Sequence, residues 1–316
     1  MISGPRRAVW LDADPGVDDW LAWLLLQVHP GLRLDGVSVV AGNAPLTRTL
    51  DNALRIRALH GLAVPVHGGA AQALDGSRIT AADVLGPAGM RTTGQPLPPT
   101  AQPTDSDDAV TALLAWLGRG PPQPLLVVTG PMTHVALALQ RDRAAFDALE
   151  DIVFMGGSTD RGNHTPAAEF NIAADPEAAD IVLRSGLPLT MFGLDLCRQL
   201  PLTQDHVQEV RSWPGEPAAV LAGHLDAYQR IRSADGAQPM PLYDPAPALW
   251  LHAPELFSLQ AAPVDVELIG RHTRGMTVCD LRNRQGRPCN VRIATAVEAP
   301  SAMALFMDQL RAALAV

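Results

Sequence analysis

The chain has 316 residues, 47% hydrophobic and 18% charged, which allows a large buried core and argues against disorder. Its formal net charge is −9 at pH 7, and an acidic surface repels phosphate backbones, so no nucleic-acid binding through a basic face is expected. Three cysteines without CxxC spacing, a polar stretch at 1–7 and apolar runs too short to span a bilayer predict a soluble, cytoplasmic protein with no disulfide framework and no membrane attachment.

In chain order, 8–11 reads as a strand that enters an Asp/Gly-rich turn and a helix over 18–28. A strand at 34–40 leads through Ala41-Gly42-Asn43 into a helix over 45–60. The stretch 68–104, rich in Gly, Pro, Thr and Ala, reads as a long loop. A strand at 125–128 leads through Thr129-Gly130-Pro131 into a helix over 132–140. Strands at 152–155 and 189–192 end at Gly156-Gly157 and Gly193-Leu194-Asp195. An amphipathic helix over 217–232, expected to show water one face, precedes a loop at 233–242. The segments 264–269 and 290–297 read as strands, as antiparallel additions, before a last helix over 301–314. This alternation predicts an α/β fold in one domain, 1–316, with a doubly wound, mostly parallel sheet flanked by helices. Such sheets bind ligands at the carboxyl ends of their strands, where the polar turns above fall.

The turn Asp12-Ala13-Asp14-Pro15-Gly16-Val17-Asp18-Asp19 sets four carboxylates between a strand and a helix. One or two acids would serve as helix caps. Four converging carboxylates repel unless a cation lies between them, and hard oxygen donors on a tight turn suit Ca²⁺ or Mg²⁺. No His or Cys cluster accompanies them, so zinc is disfavoured.

These residues resemble the amino-terminal signature of the inosine–uridine nucleoside hydrolases. Ala41-Gly42-Asn43, Thr129-Gly130-Pro131-Met132-Thr133, Met155-Gly156-Gly157, the stretch 162–171 with 174–179, and Asp244-Pro245 resemble further blocks of that family, in family order. The resemblance implies a nucleoside hydrolase-like fold with a Rossmann-like core, a Ca²⁺ cofactor, and hydrolysis of the N-glycosidic bond of a ribonucleoside. It further implies that Asp14 touches the metal and takes a proton from the attacking water. Asp19, Asp244 and the backbone carbonyl of Thr129 would complete the metal shell, with Asp12 supporting the turn from behind. Asp18, Asn43, Asn163, Glu169 and Asn171 would hold the ribose, and Met155 would pack beneath it. A homodimer or homotetramer is also implied.

Several of these positions have plainer readings. Asn43 suits a simple turn, Asp175 and Pro176 suit a helix start, and Glu169 and Asn171 flanking Phe170 suit a half-exposed strand. The family pattern carries a His directly before its last metal-binding Asp, where this chain has Tyr243, and a second His near the base, where Leu85 is the nearest match. Tyr243, and Tyr228 and Arg232 on the helix over 217–232, are the candidates for base contacts. A base preference different from that of His-bearing members is therefore expected. Two alternatives compete: a calcium- and ribose-binding homologue with weak turnover, and a phosphatase of the haloacid dehalogenase type. The absence of any lysine weighs against the phosphatase.

Overall fold

The computed structural model describes residues 6–315. Its first part runs β1 (Arg7–Ala13), α1 (Val17–Val28), β2 (Leu32–Val39), α2 (Leu46–Leu59), β3 (Val66–Gly68), α3 (Ala82–Leu85) and α4 (Ala109–Gly118). There follow β4 (Leu125–Val128), α5 (Thr133–Arg141), β5 (Asp151–Met155), α6 (Phe170–Ala174), α7 (Pro176–Leu183) and β6 (Leu189–Phe192). The rest comprises α8 (Leu194–Cys197), β7 (Pro201–Leu202), α9 (Gln204–Ser212), α10 (Glu216–Gln229), β8 (Met240–Pro241) and α11 (Pro245–His252). Last come β9 (Phe257–Ala262), β10 (Val264–Val266), β11 (Thr277–Cys279), β12 (Val291–Val297) and α12 (Ala299–Leu314).

Eight strands form the main sheet in the order β3-β2-β1-β4-β5-β6-β12-β9. All neighbours pair in parallel except β12 and β9, which are antiparallel. Strands buried on both faces read as continuous apolar runs, and those runs made the sheet visible in the sequence. Along β1, Val9, Leu11 and Ala13 face one core, built with α1, α2, α9, α10, α11 and α12. Ala8 and Trp10 face the other, built with α4, α5 and α7. The chain winds from β1 out to β3, then returns to place β4 on the opposite side of β1. The strand order therefore switches between β1 and β4, where an open α/β sheet has its ligand crevice.

Three expectations change. The strand read at 264–269 stops at Val266 and pairs with β11 in a separate ribbon. There the Glu267 side chain accepts from the backbone N–H groups of Ile269 and Gly270 and turns the chain. The antiparallel addition to the main sheet is instead β9. Helix α10 is not solvated along one face: Val220 to Gln229 are all buried, because the loop at 92–95 lies across it, with Thr93 N donating to Gly223 O at 3.0 Å. Cys197, Cys279 and Cys289 are unpaired. Among the described residues, no helix is long and apolar enough to cross a membrane.

Candidate active site

The alternation of β1 puts Asp12 on the Trp10 face, against α5. Its Oδ1 accepts from Ser38 Oγ and from His134 Nδ1 at 2.7 Å. His134 Nε2 accepts from the backbone N–H of Ala70 at 2.7 Å, so Nδ1 carries the ring proton toward Asp12. Both side chains are fully buried. Asp12 and His134 thus tie β1 to α5 beneath the turn and do not reach its open side.

Asp14, just beyond β1, points the other way. Its Oδ2 accepts from the backbone N–H of Asn43 at 2.6 Å, and its buried Oδ1 has no hydrogen-bond partner among the described residues. Glycine is required beside it. A Cβ on Gly42 would lie 2.1 Å from Asp14 Oδ2, and one on Gly130 would lie 2.9 Å from Asp14 Oδ1. Asp19 fixes the same turn. It accepts from Thr129 Oγ1 at 2.7 Å, Gly16 N at 2.9 Å and Asn43 Nδ2 at 3.0 Å. Asn43 also donates to Asp14 O at 2.9 Å, so it is a structural cross-brace as well as a turn residue.

Asp18 and Asp19 open α1, and Asp244 opens α11, so the amino ends of two helices bring acids together. One oxygen from each of Asp18, Asp19 and Asp244 lies within 4.8 Å of the others. Asp14 is not part of that group of three. The hydroxyl of Tyr228, on α10, donates to Asp18 Oδ2 at 3.1 Å, which turns it toward the acids. Burial and the charge of Asp19 push Asp18 up to about 7. Burial, then Asp19, holds Asp14 well above the carboxylate range, and burial, then Asp18 and Asp19, does the same to Asp244. Asp19 is raised by burial against the pull of the Gly16 N–H and Thr129 hydroxyl. Buried acids in this state resist joint ionisation, and a divalent cation among them removes the penalty. The hard oxygen donors, the unpartnered Asp14 Oδ1 and the glycine clearance fit such an ion.

A cavity of about 410 Å³ opens over these residues, in the range of small-molecule sites. Asp14, Asp18, Asn43, Thr129, Met155, Asn163, Glu169, Asn171, Tyr228, Tyr243 and Asp244 line it, so every site residue expected from sequence except the more deeply set Asp19 faces one space. Asn171 Nδ2 donates to Thr129 O at 2.8 Å and Met155 O at 3.1 Å, bridging the ends of β4 and β5. Glu169 and Asn171 do not lie on a half-exposed strand. Glu169 caps α6, accepting from the backbone N–H groups of Asn171, Gly157 and Ile172, while burial raises its carboxyl. Asn163 is exposed at the rim, where its Oδ1 accepts from Phe170 N at 2.9 Å. Asp175 is the N-cap of α7.

The opposite wall was not read from the sequence, apart from Leu85 and Arg232. Thr80, Asp83 and Val84 come from the segment around α3, and Ile231 and Met240 from beyond α10. No charge or spacing signal marks them. His164 and Phe170 also line the cavity, their rings 5.6 Å apart, and both lie within the long motif at 162–171.

The model of the inosine-uridine preferring nucleoside hydrolases matches residues 9–304. The chain is 40% identical over 309 residues to a pyrimidine-specific ribonucleoside hydrolase, RihA, of Shewanella oneidensis, covering 96% of this chain and 95% of that one. It is 39% identical to the protein of the same description from Photobacterium profundum, covering 96% and 98%. The fold superposes on a purine-preferring ribonucleoside hydrolase from Gardnerella vaginalis with a TM-score of 0.89, 29% identity, and coverage of 98% and 99%. A haloacid dehalogenase-type phosphatase does not account for similarity of this extent. The chain belongs to the inosine-uridine preferring nucleoside hydrolase family and is an enzyme that cleaves the N-glycosidic bond of nucleosides through a metal-activated water.

Proposed function

We propose that the ion is calcium, that Asp14 is the general base, and that the substrate is a pyrimidine ribonucleoside. The convergence of Asp18, Asp19 and Asp244, with Asp14, Asp18 and Asp244 facing one cavity, supports the first two assignments. The 40% identity to a pyrimidine-specific hydrolase supports the third. Calcium at this site would orient the ribose diol and favour deprotonation of the attacking water. Asp19, Asp244, the Thr129 carbonyl and Asp14 would hold the ion, and Asp18 would meet a ribose hydroxyl. Asp14 accepts the water's proton on the oxygen that no protein donor occupies, while the Asn43 N–H fixes the other oxygen. Asn163, Glu169 and Asn171 grip the ribose, which lies over Met155. Cleavage builds positive charge on the sugar, and the surrounding carboxylates stabilise it.

The leaving base lies between Tyr243, Arg232 and the wall at 80–85. Burial, followed by the Cys197 and Asp18 charges, raises the phenol of Tyr243 above its ordinary value. It therefore keeps its proton and acts as an aromatic wall and hydrogen-bond donor, not as a general acid. Release of reducing sugar from uridine, cytidine, inosine, adenosine and guanosine, with and without a chelator, tests the proposal. Uridine and cytidine are cleaved fastest, chelation abolishes turnover and calcium restores it. Faster cleavage of purine nucleosides refutes the substrate assignment alone. Turnover that survives chelation refutes the calcium assignment.

A further inference from the structure

The two helices that bring the acids together are also joined at their far ends. His29, the C-cap of α1, lies with Nε2 3.0 Å from Leu251 O in α11. His252, the last residue of α11, lies with Nε2 2.9 Å from Leu25 O in α1. A carbonyl oxygen only accepts, so both rings donate from Nε2; His29 Nδ1 in turn accepts from Gly31 N at 3.0 Å. Leu25 and Leu251 fall in the final turns of their helices, where carbonyls lack an intrahelical partner. Each helix thus caps the other, and the imidazole centroids are 4.3 Å apart at 60°.

With their amino ends meeting at the acids and their carboxyl ends meeting at this clasp, α1 and α11 run side by side in parallel. That arrangement places like charges and like helix dipole ends next to each other, so it needs a restraint. The span from Asp18 to His29 is about 16 Å of helix, short enough to move as a rod. We propose that His29 and His252 are positioning residues, which set the spacing of Asp18 and Asp19 from Asp244 by locking the far ends of α1 and α11. The inference rests on the metal-site reading above. Burial lowers both imidazoles, His29 to about 4, so the clasp consists of two neutral rings at neutral pH.

Calcium titration by calorimetry on the full chain at pH 7.5, beside thermal melts, tests it. His252→Phe keeps a ring and removes the donor, and raises the calcium dissociation constant about fivefold, the factor one hydrogen bond is worth. His252→Gln returns an N–H donor to Leu25 O and restores the parental constant. Phe146→Leu, buried in the opposite core, lowers the melting temperature and leaves calcium affinity unchanged. If His252→Phe does not fold, His29→Asn serves: it can accept from Gly31 but is too short to reach Leu251, and it gives the same fivefold loss. Parental affinity in the clasp variants, with only a lower melting temperature, overturns the inference. A parent chain that binds no calcium overturns the metal reading itself, and the clasp inference with it.

Discussion

Replacing Gly42 by alanine tests the placement of Asp14 with a single methyl group. The backbone at Gly42 is outside the left-handed region, so alanine brings no conformational strain there. The new Cβ would sit 2.1 Å from Asp14 Oδ2 and 2.8 Å from Asp14 Cγ. Non-bonded atoms settle at about 3.5 Å, so the carboxylate must retreat by roughly 1 Å or more. That movement also disturbs the bond from Asn43 N to Asp14 Oδ2. Misplacing a reacting group by about 1 Å costs on the order of a hundredfold in rate, or about 2.7 kcal/mol of barrier. Steady-state hydrolysis of uridine at saturating calcium should therefore show kcat about a hundredfold lower. Gly118→Ala is the control, since a Cβ there meets nothing within 4 Å. Turnover of Gly42→Ala within about threefold of the parent would refute the assignment of Asp14 as the base.

Proton and ion should compete for the site. Asp14, Asp18, Asp19 and Asp244 all sit above their unfolded values, Asp18 at about 7, so the folded ion-free protein binds more protons than the unfolded chain. Its stability then falls as pH rises from about 4 to about 7. At pH 8, calcium at a hundredfold excess over its dissociation constant adds about 2.7 kcal/mol, a melting shift of about 5 °C. The shift shrinks at pH 5.5, and equal shifts at both pH values would contradict the coupling. Tyr243→Phe keeps the ring, removes the hydrogen bond to the leaving base and lowers kcat for uridine about tenfold with little change in KM; an unchanged rate and base profile would remove Tyr243 from recognition. His134→Ala leaves the buried Asp12 carboxylate without one of its donors and opens a cavity, costing about 3 kcal/mol in denaturant unfolding. A loss below about 1 kcal/mol would show that Asp12 does not depend on it.

The parallel core was legible because strands buried on both faces leave unbroken apolar runs, and the acidic turn because four acids in eight residues exceed what helix capping needs. Asp244 lies far along the chain, and only the resemblance linked it to that turn; nothing local tells an N-cap acid from a ligand. Glu169 shows the limit of period counting. Its alternation with Asn171 around Phe170 suits a strand, yet its carboxylate caps α6 through the N–H groups of Asn171 and Ile172 and also accepts from Gly157 N beyond β5. Helix α10 was misread as partly solvated because its burial depends on a distant partner: a Cβ on Gly223 would meet the backbone of Gly94 at 3.0 Å, a closeness that composition does not announce. The wall at 80–85 carries ordinary loop residues, and only their position over the cavity gives them a role.

Among the described residues, β9 pairs in the main sheet only with β12, which is made after it and lies between it and β6. During synthesis the outermost strand must therefore wait, unattached, until the chain's closing segment threads into the gap beside β6. A ribosome that stalls before residue 291 releases a protein with a bare parallel edge on β6 and an unanchored β9, both ready templates for pairing with other chains. Premature stops in this stretch should yield insoluble material, even though every acid of the catalytic centre, up to Asp244, would already be present.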